Sequence, residues 1–174
     1  LAKPTRNILI QDCVMKDGHG GVVIGSEVSG GVENIFVQRC HMDSEGLWYA
    51  LRFKNNAMRG GVIQDIYCRD ITVGRVARAA ITCDFNYEEG ARGGFKPVLR
   101  KVRIERMRAS AAAQVLDLQG LPGAPLGDIV LRDCRFDGVT KASVVTHTNG
   151  LRLERVTVNG RRVPSPALLS APPT

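Results

Sequence analysis

The sequence predicts an all-β solenoid, a parallel β-helix, on three observations. A six-residue pattern recurs six times along the chain. Between the recurrences lies a second set of short apolar segments with a period of two. Almost nothing reads as helix.

The recurrent pattern is apolar-x-apolar, two polar residues, then apolar. It runs Ile8-Leu-Ile-Gln-Asp-Cys13, Ile35-Phe-Val-Gln-Arg-Cys40, Ile66-Tyr-Cys-Arg-Asp-Ile71 and Val102-Arg-Ile-Glu-Arg-Met107. Ile129-Val-Leu-Arg-Asp-Cys134 and Leu151-Arg-Leu-Glu-Arg-Val156 complete it. The first residues are 27, 31, 36, 27 and 22 positions apart. A sustained period of roughly 20–50 residues marks a solenoid, a propeller or an array. Apolar-x-apolar is the periodicity of a strand. The polar pair ends that strand, and the next apolar residue starts another, as in Cys13-Val-Met15.

The second set is read at Val22–Ile24, Leu51–Phe53, Ile81–Cys83, Leu116–Leu118 and Val144–Val145. Each period thus holds about three short strands. A propeller blade needs about 40 residues and hairpin turns, more than these periods supply. Stacked parallel coils fit, with equivalent residues about 4.8 Å apart.

Stacking places Cys13, Cys40, Ile71, Met107, Cys134 and Val156 in one inward column. The chain has five cysteines and no Cys-x-x-Cys pair, which argues against a zinc ribbon or a thioredoxin-type motif. The odd count leaves a thiol unpaired. All five sit in apolar strings, so buried, reduced thiols are expected.

Coils are expected over residues 1–163, followed by a Pro/Ala-rich tail over residues 164–174. Asn159-Gly160 reads as a closing turn. The first repeat starts almost at residue 1 without a polar cap. Solenoids carry caps at both ends, so N-terminal coils are expected to be missing. Their absence leaves an open edge expected to self-associate.

Composition narrows the partners. The chain has 174 residues, a net charge of +7 and a pI near 9.5. Eighteen of its 24 cations are arginine, the side chain that holds carboxylates and phosphates bidentately. An anionic partner follows: nucleic acid, a membrane surface or an acidic polymer. Aromatic residues make up only 5%, and no basic stretch is interleaved with them. A nucleic-acid binder is therefore disfavoured. No apolar run reaches the roughly 18 residues of a membrane span.

Two segments interrupt the repeat. One is Asp17-Gly-His-Gly-Gly-Val-Val-Ile-Gly-Ser-Glu27, with glycines crowded about His19. The other is Leu51-Arg-Phe-Lys-Asn-Asn56, where Leu51 and Phe53 point inward and Arg52 and Lys54 outward. Aligned at coil spacing, Val23 neighbours Arg52, and Gly25 neighbours Lys54, leaving a shallow floor. Thr82 and Asp84 continue the two outward columns, and Tyr87 ends that strand. The result is a cationic groove with one imidazole, suited to a carboxylate-bearing ligand.

The Gly-His-Gly-Gly around His19, the Ile-Gly-Ser-Glu ending at Glu27, and Arg52-Phe-Lys54 resemble glycoside hydrolase family 28. That is the polygalacturonase family, whose second motif reads Arg-Ile-Lys. The stretch from Asn7 to Asn56 is similar to its bacterial exo-type members, and Val156-Thr-Val-Asn-Gly160 resembles their C-termini. The resemblance implies a right-handed parallel β-helix that hydrolyses α-linked galacturonan in pectin with inversion. It implies that His19 supports the catalytic aspartates. It implies that Arg52 and Lys54 bind the galacturonate carboxylate, with Tyr87 contacting substrate. Glu27 either contacts sugar or holds its own loop. It also implies a secreted or periplasmic protein that acts on an acidic polysaccharide, without cofactor or metal.

The family's Asn-Thr-Asp and Asp-Asp motifs precede its Gly-His-Gly and are not in this sequence. Inverting hydrolysis needs an acid and a base about 6.5–9.5 Å apart. Asp17, Glu27, Asp43 and Asp84 are the carboxylates near the groove, and none is expected to replace the missing pair. The chain therefore reads as the C-terminal part of a pectin-degrading hydrolase. Two other classes share the fold. A non-catalytic module would only bind acidic glycan. A pectate lyase would use Arg52 as base and calcium held by a carboxylate cluster, and no such cluster is evident in the sequence.

Overall fold

The computed structural model describes residues 3–170. Each repeat opens one coil. The first coil holds β1 (Thr5–Gln11), β2 (Val14–Met15) and β3 (Val22–Ile24). The second holds β4 (Val32–Gln38), β5 (His41–Met42) and β6 (Leu51–Lys54). The third holds β7 (Val62–Arg69) and β8 (Thr72–Asp84), the fourth β9 (Val98–Glu105) and β10 (Arg108–Gln119). The fifth holds β11 (Leu126–Arg132), β12 (Arg135–Phe136) and β13 (Val144–Thr146). The last holds β14 (Thr148–Glu154), β15 (Thr157–Val158) and β16 (Arg161–Arg162).

The repeat strands stack in chain order as one parallel sheet, β1-β4-β7-β9-β11-β14. The aligned starts of the repeats are direct partners: Ile8, Ile35, Ile66, Val102, Ile129 and Leu151 form one ladder. The remaining strands make two further faces of the coil. One is β2-β5-β8-β10-β12-β15. The other is β3-β6, continued by the C-terminal parts of β8 and β10 and by β13.

The three-strand expectation is met in the first, second and fifth coils. In the third and fourth, two expected strands fuse into β8 and β10. The corner there is turned by small residues, Gly74, Ala77 and Ala79 in one coil and Ala111 to Ala113 in the next. The ladder absorbs it as a register shift between Ala112 and Gln114 rather than breaking.

The polar pairs do turn the chain. The second residue of each pair has a left-handed backbone: Asp12, Arg39, Asp70, Arg106, Asp133 and Arg155, with φ between 50° and 55°. That conformation is unfavourable for a residue with a Cβ. Stacking the six turns offsets it, because acid and base alternate up the column. Arg39 donates two hydrogen bonds to Asp12, at 2.7 and 2.8 Å. Arg106 does the same to Asp70, at 2.7 and 2.9 Å, and Arg155 to Asp133, at 2.5 and 2.8 Å.

The inward column after these turns holds for Cys40, Ile71, Met107, Cys134 and Val156, each at most 2% exposed. Cys13 departs from the expectation and is exposed. It lies on the first coil, beneath which no described coil packs. For the same reason Ile8 is 39% exposed, although its ladder partner Ile35 is buried. All five thiols are free. Burial pushes the Cys68 thiol up to about 12 and the Cys134 thiol up to about 11.

At the other end Asn159 and Gly160 turn β15 back onto β16 as an antiparallel hairpin. Within the segment 164–174, Pro166–Ser170 forms a short 3-10 helix that buries Leu169. Residues 171–174 lie outside the described residues.

Candidate functional site: a cation–aromatic face

The face built on β3, β6 and β8 carries most of the expected site. Val22, Ile24, Leu51 and Phe53 point into the core, so strand alternation sends Val23, Arg52 and Lys54 outward. The observed register pairs Val23 with Arg52 and Arg52 with Thr82. It pairs Lys54 with Asp84, and Thr82 with Asp117 on the next coil.

Gly25 does adjoin Lys54, but not as a floor for a ligand. A Cβ at Gly25 would lie 2.0 Å from the Lys54 carbonyl oxygen, and its φ is +106°. The glycine is there because two coils touch at that point. Gly20 plays a related part: a Cβ there would lie 3.2 Å from the Arg52 Cβ.

The cations of this face rest on aromatic rings. The Lys54 Nζ lies 4.6 Å from the Tyr87 ring centroid. The Arg52 guanidinium lies 5.3 Å from Tyr49 and 5.8 Å from Tyr87. Among the described residues neither cation is ion-paired to a carboxylate. Burial, then the adjacent Arg52, holds the Lys54 ammonium below the usual lysine range. An anion placed between the two cations would relieve that repulsion.

His19 is exposed on the first coil, and its ring sits 4.2 Å from the Trp48 ring. Trp48 carries the Arg78 guanidinium on its ring, 3.9 Å from the centroid. The backbone explains the stack. Trp48 N donates to Gly18 O at 3.0 Å, and Arg78 N donates to Trp48 O at 2.9 Å. Three successive coils thus bring His19, Trp48 and Arg78 into one column at the edge of the face.

Glu27 sits farther out, its side chain 83% exposed, and pairs with Arg59 at 3.1 Å. Arg59 also donates to Ser26 Oγ at 2.7 Å and to Glu88 at 2.8 Å. Asn55 and Asn56 are fully buried. The Asn56 amide donates to Tyr87 O at 3.1 Å and to Glu89 at 2.7 Å, tying down the loop that bears Tyr87. Sequence reasoning did not reach Trp48, Tyr49, Arg78 or this asparagine pair. The register held the signal: the 29-residue step from Val23 to Arg52 also carries His19 to Trp48. The 30-residue step from Arg52 to Thr82 carries Trp48 to Arg78.

The carboxylates near the face differ in their freedom. Asp17 accepts a hydrogen bond from Ser44 Oγ. Asp43 lies 3.9 Å from His41 and lines the outside of Gly74. Asp84 stays on the face. Burial holds its carboxyl above the usual range, against a hydrogen bond from Asn86 N, and Asp117 adds to the rise. Among the described residues no three His, Cys, Asp or Glu side chains are grouped to hold a metal ion.

The fold and this face define a class, a parallel β-helix with cations and aromatic rings gathered on one sheet. The chain belongs to glycosyl hydrolases family 28, whose family model matches residues 2–149. It is 26% identical over 151 residues to a probable polygalacturonase of Vitis vinifera, covering 83% of this chain and 30% of that protein. The crystal structure of a hyperthermoactive exopolygalacturonase from Thermotoga maritima superposes with a TM-score of 0.86 at 30% identity. It covers 92% of this chain and 36% of its own. The chain thus spans about a third of these relatives' length, as the same right-handed parallel β-helix.

Proposed function

We propose that this chain carries the carboxylate-binding part of the active site of a pectin-degrading hydrolase that cleaves α-1,4-galacturonan with inversion. One observation carries the reading. Arg52 and Lys54 stand side by side on one strand, seated on tyrosine rings and, among the described residues, without a carboxylate ion pair, beside an exposed imidazole. A uronate supplies what this arrangement lacks: an anion for the cations and a pyranose face for Tyr87.

In this reading Arg52 and Lys54 clamp the galacturonate carboxylate, and Tyr87 fixes the ring. His19 orients the family's catalytic aspartates. Glu27 acts at the rim, through Arg59. Remote binding of this kind lowers the barrier by holding the scissile bond in place. The setting proposed is extracellular, secreted or periplasmic, on plant cell wall. The exposed apolar edge of the first coil is taken as a strand-pairing surface through which the isolated chain self-associates.

The test is binding of polygalacturonate by the purified chain, read as retardation in affinity electrophoresis. Lys54→Ala should weaken binding by about 2–3 kcal/mol, the loss of a charge-assisted contact, with thermal unfolding unchanged. Full-strength binding by that variant contradicts the clamp. The chain itself is expected to release no reducing ends. Release of galacturonate would mean that a carboxylate of this chain, Asp17, Glu27 or Asp84, supplies the chemistry.

A further inference from the structure

Beside the Arg52–Lys54 pair stands a third cation, Arg78. Arg78 is exposed, yet its guanidinium is fixed. One face lies on Trp48 at 3.9 Å, and Nη1 reaches the Tyr49 hydroxyl at 3.5 Å. Its backbone N–H is tied to Trp48 O. Among the described residues no carboxylate pairs with it. Stacking occupies the flat face of a guanidinium and leaves its N–H edge pointing outward. That edge is the part that matches a carboxylate in two parallel hydrogen bonds.

Arg78 also shares a ring with the clamp. Its guanidinium carbon is 5.9 Å from the Tyr49 centroid, and that of Arg52 is 5.3 Å from the same centroid. Tyr49 is only 8% exposed, so it is a fixed spacer between two arginines. The pair of cations therefore has a defined separation across the face, one on the β6 column and one on the His19–Trp48 column. Two anions at fixed spacing are what an oligomer of uronic acid presents.

We propose that Arg78, seated on Trp48 and Tyr49, is a second carboxylate-recognition residue, taking the uronate adjacent to the one held by Arg52 and Lys54. This rests on the reading of the face as a uronate site. Pre-seating on two rings removes most of the side-chain freedom that binding would otherwise freeze. The residue thus favours acidic over esterified sugar at a second position.

The chain has one tryptophan, and it is Trp48, so its fluorescence reports this site directly. The full chain is titrated with galacturonic acid, digalacturonic acid and the dimethyl ester of the dimer. Wild type should bind the dimer more tightly than the monomer. Arg78→Gln should weaken the dimer about tenfold and leave the monomer unchanged, and should bind the dimer and its diester alike except at the clamp. Arg78→Lys, which keeps charge but loses the fork, should fall between. Lys54→Ala should weaken monomer and dimer together. Circular dichroism checks that each variant is folded.

Three results overturn the proposal. If Arg78→Gln binds the dimer as wild type does while Lys54→Ala does not, Arg78 is only a lid on Trp48 and the clamp survives. If Arg78→Gln weakens monomer and dimer equally, there is no second position. If wild type binds none of the uronates, the uronate reading of the whole face fails with it.

Discussion

Arginine stands on two surfaces of this solenoid in opposite surroundings. On the turn after the six-stranded sheet, Arg39, Arg106 and Arg155 each grip an aspartate of the coil below with two hydrogen bonds. On the β6 face, Arg52 and Arg78 lie against tyrosine and tryptophan and, among the described residues, grip no carboxylate. The turn needs its charges neutralised, because stacked left-handed residues would otherwise pile up like charges every coil. The other face keeps its charges unneutralised, and burial first, then repulsion from Arg52, holds the Lys54 ammonium below the usual lysine range. The same side chain serves cohesion in one place and leaves recognition open in the other. What decides is the residue at the same ladder position one coil away: an aspartate beneath each turn arginine, but Val23 and Thr82 on either side of Arg52.

The largest expected effect removes the coil contact on which the β6 face is built. Gly25→Ala puts a Cβ against the Lys54 carbonyl at a positive φ. It should destabilise folding by roughly 3 kcal/mol, read by denaturant unfolding. Near-normal stability would mean that the coils do not meet at Gly25 as described.

The turn and the face should also separate in acid. Hydrogen bonding to Arg39, Arg106 and Arg155 holds Asp12, Asp70 and Asp133 below the usual carboxylate range. Their stabilisation is complete above the unfolded carboxylate value of about 3.9 and is lost as pH falls through the lower folded values. Asp84 runs the other way, since burial raises it. It favours folding at low pH, and that contribution is lost as pH rises through its folded value. Stability should therefore drop below about pH 4. Arg106→Ala should shallow that drop and leave uronate binding intact. An unchanged acid limb would take the turn ladder out of the account.

Much of this was legible in the sequence. The six-residue repeat gave the register, since its first residues are direct ladder partners. Alternation in Leu51–Lys54 sent Arg52 and Lys54 outward as found. What stayed hidden depends on contacts across coils outside the repeat. Trp48 sits in a connection of no fixed period and Arg78 inside the long strand β8, and only the coil offset connects them to His19. The exposure of Cys13 was hidden because an inward position is buried only if a coil lies below it.

A smaller effect follows from that cysteine. A thiol reagent should label Cys13 quickly in the folded chain and the other four only on unfolding, because burial keeps Cys68, Cys83 and Cys134 protonated. Rapid labelling of Cys68 or Cys83 would mean that the core opens readily.

The central claim is that the β6 face holds its cations for a carboxylate. The most direct measurement is the affinity of the chain for a galacturonate oligomer against its fully methyl-esterified form, followed by Trp48 fluorescence at two salt concentrations. The account predicts that the acid binds at least about tenfold more tightly than the ester. It also predicts that added salt erodes the difference. Equal affinity for acid and ester, insensitive to salt, would contradict it.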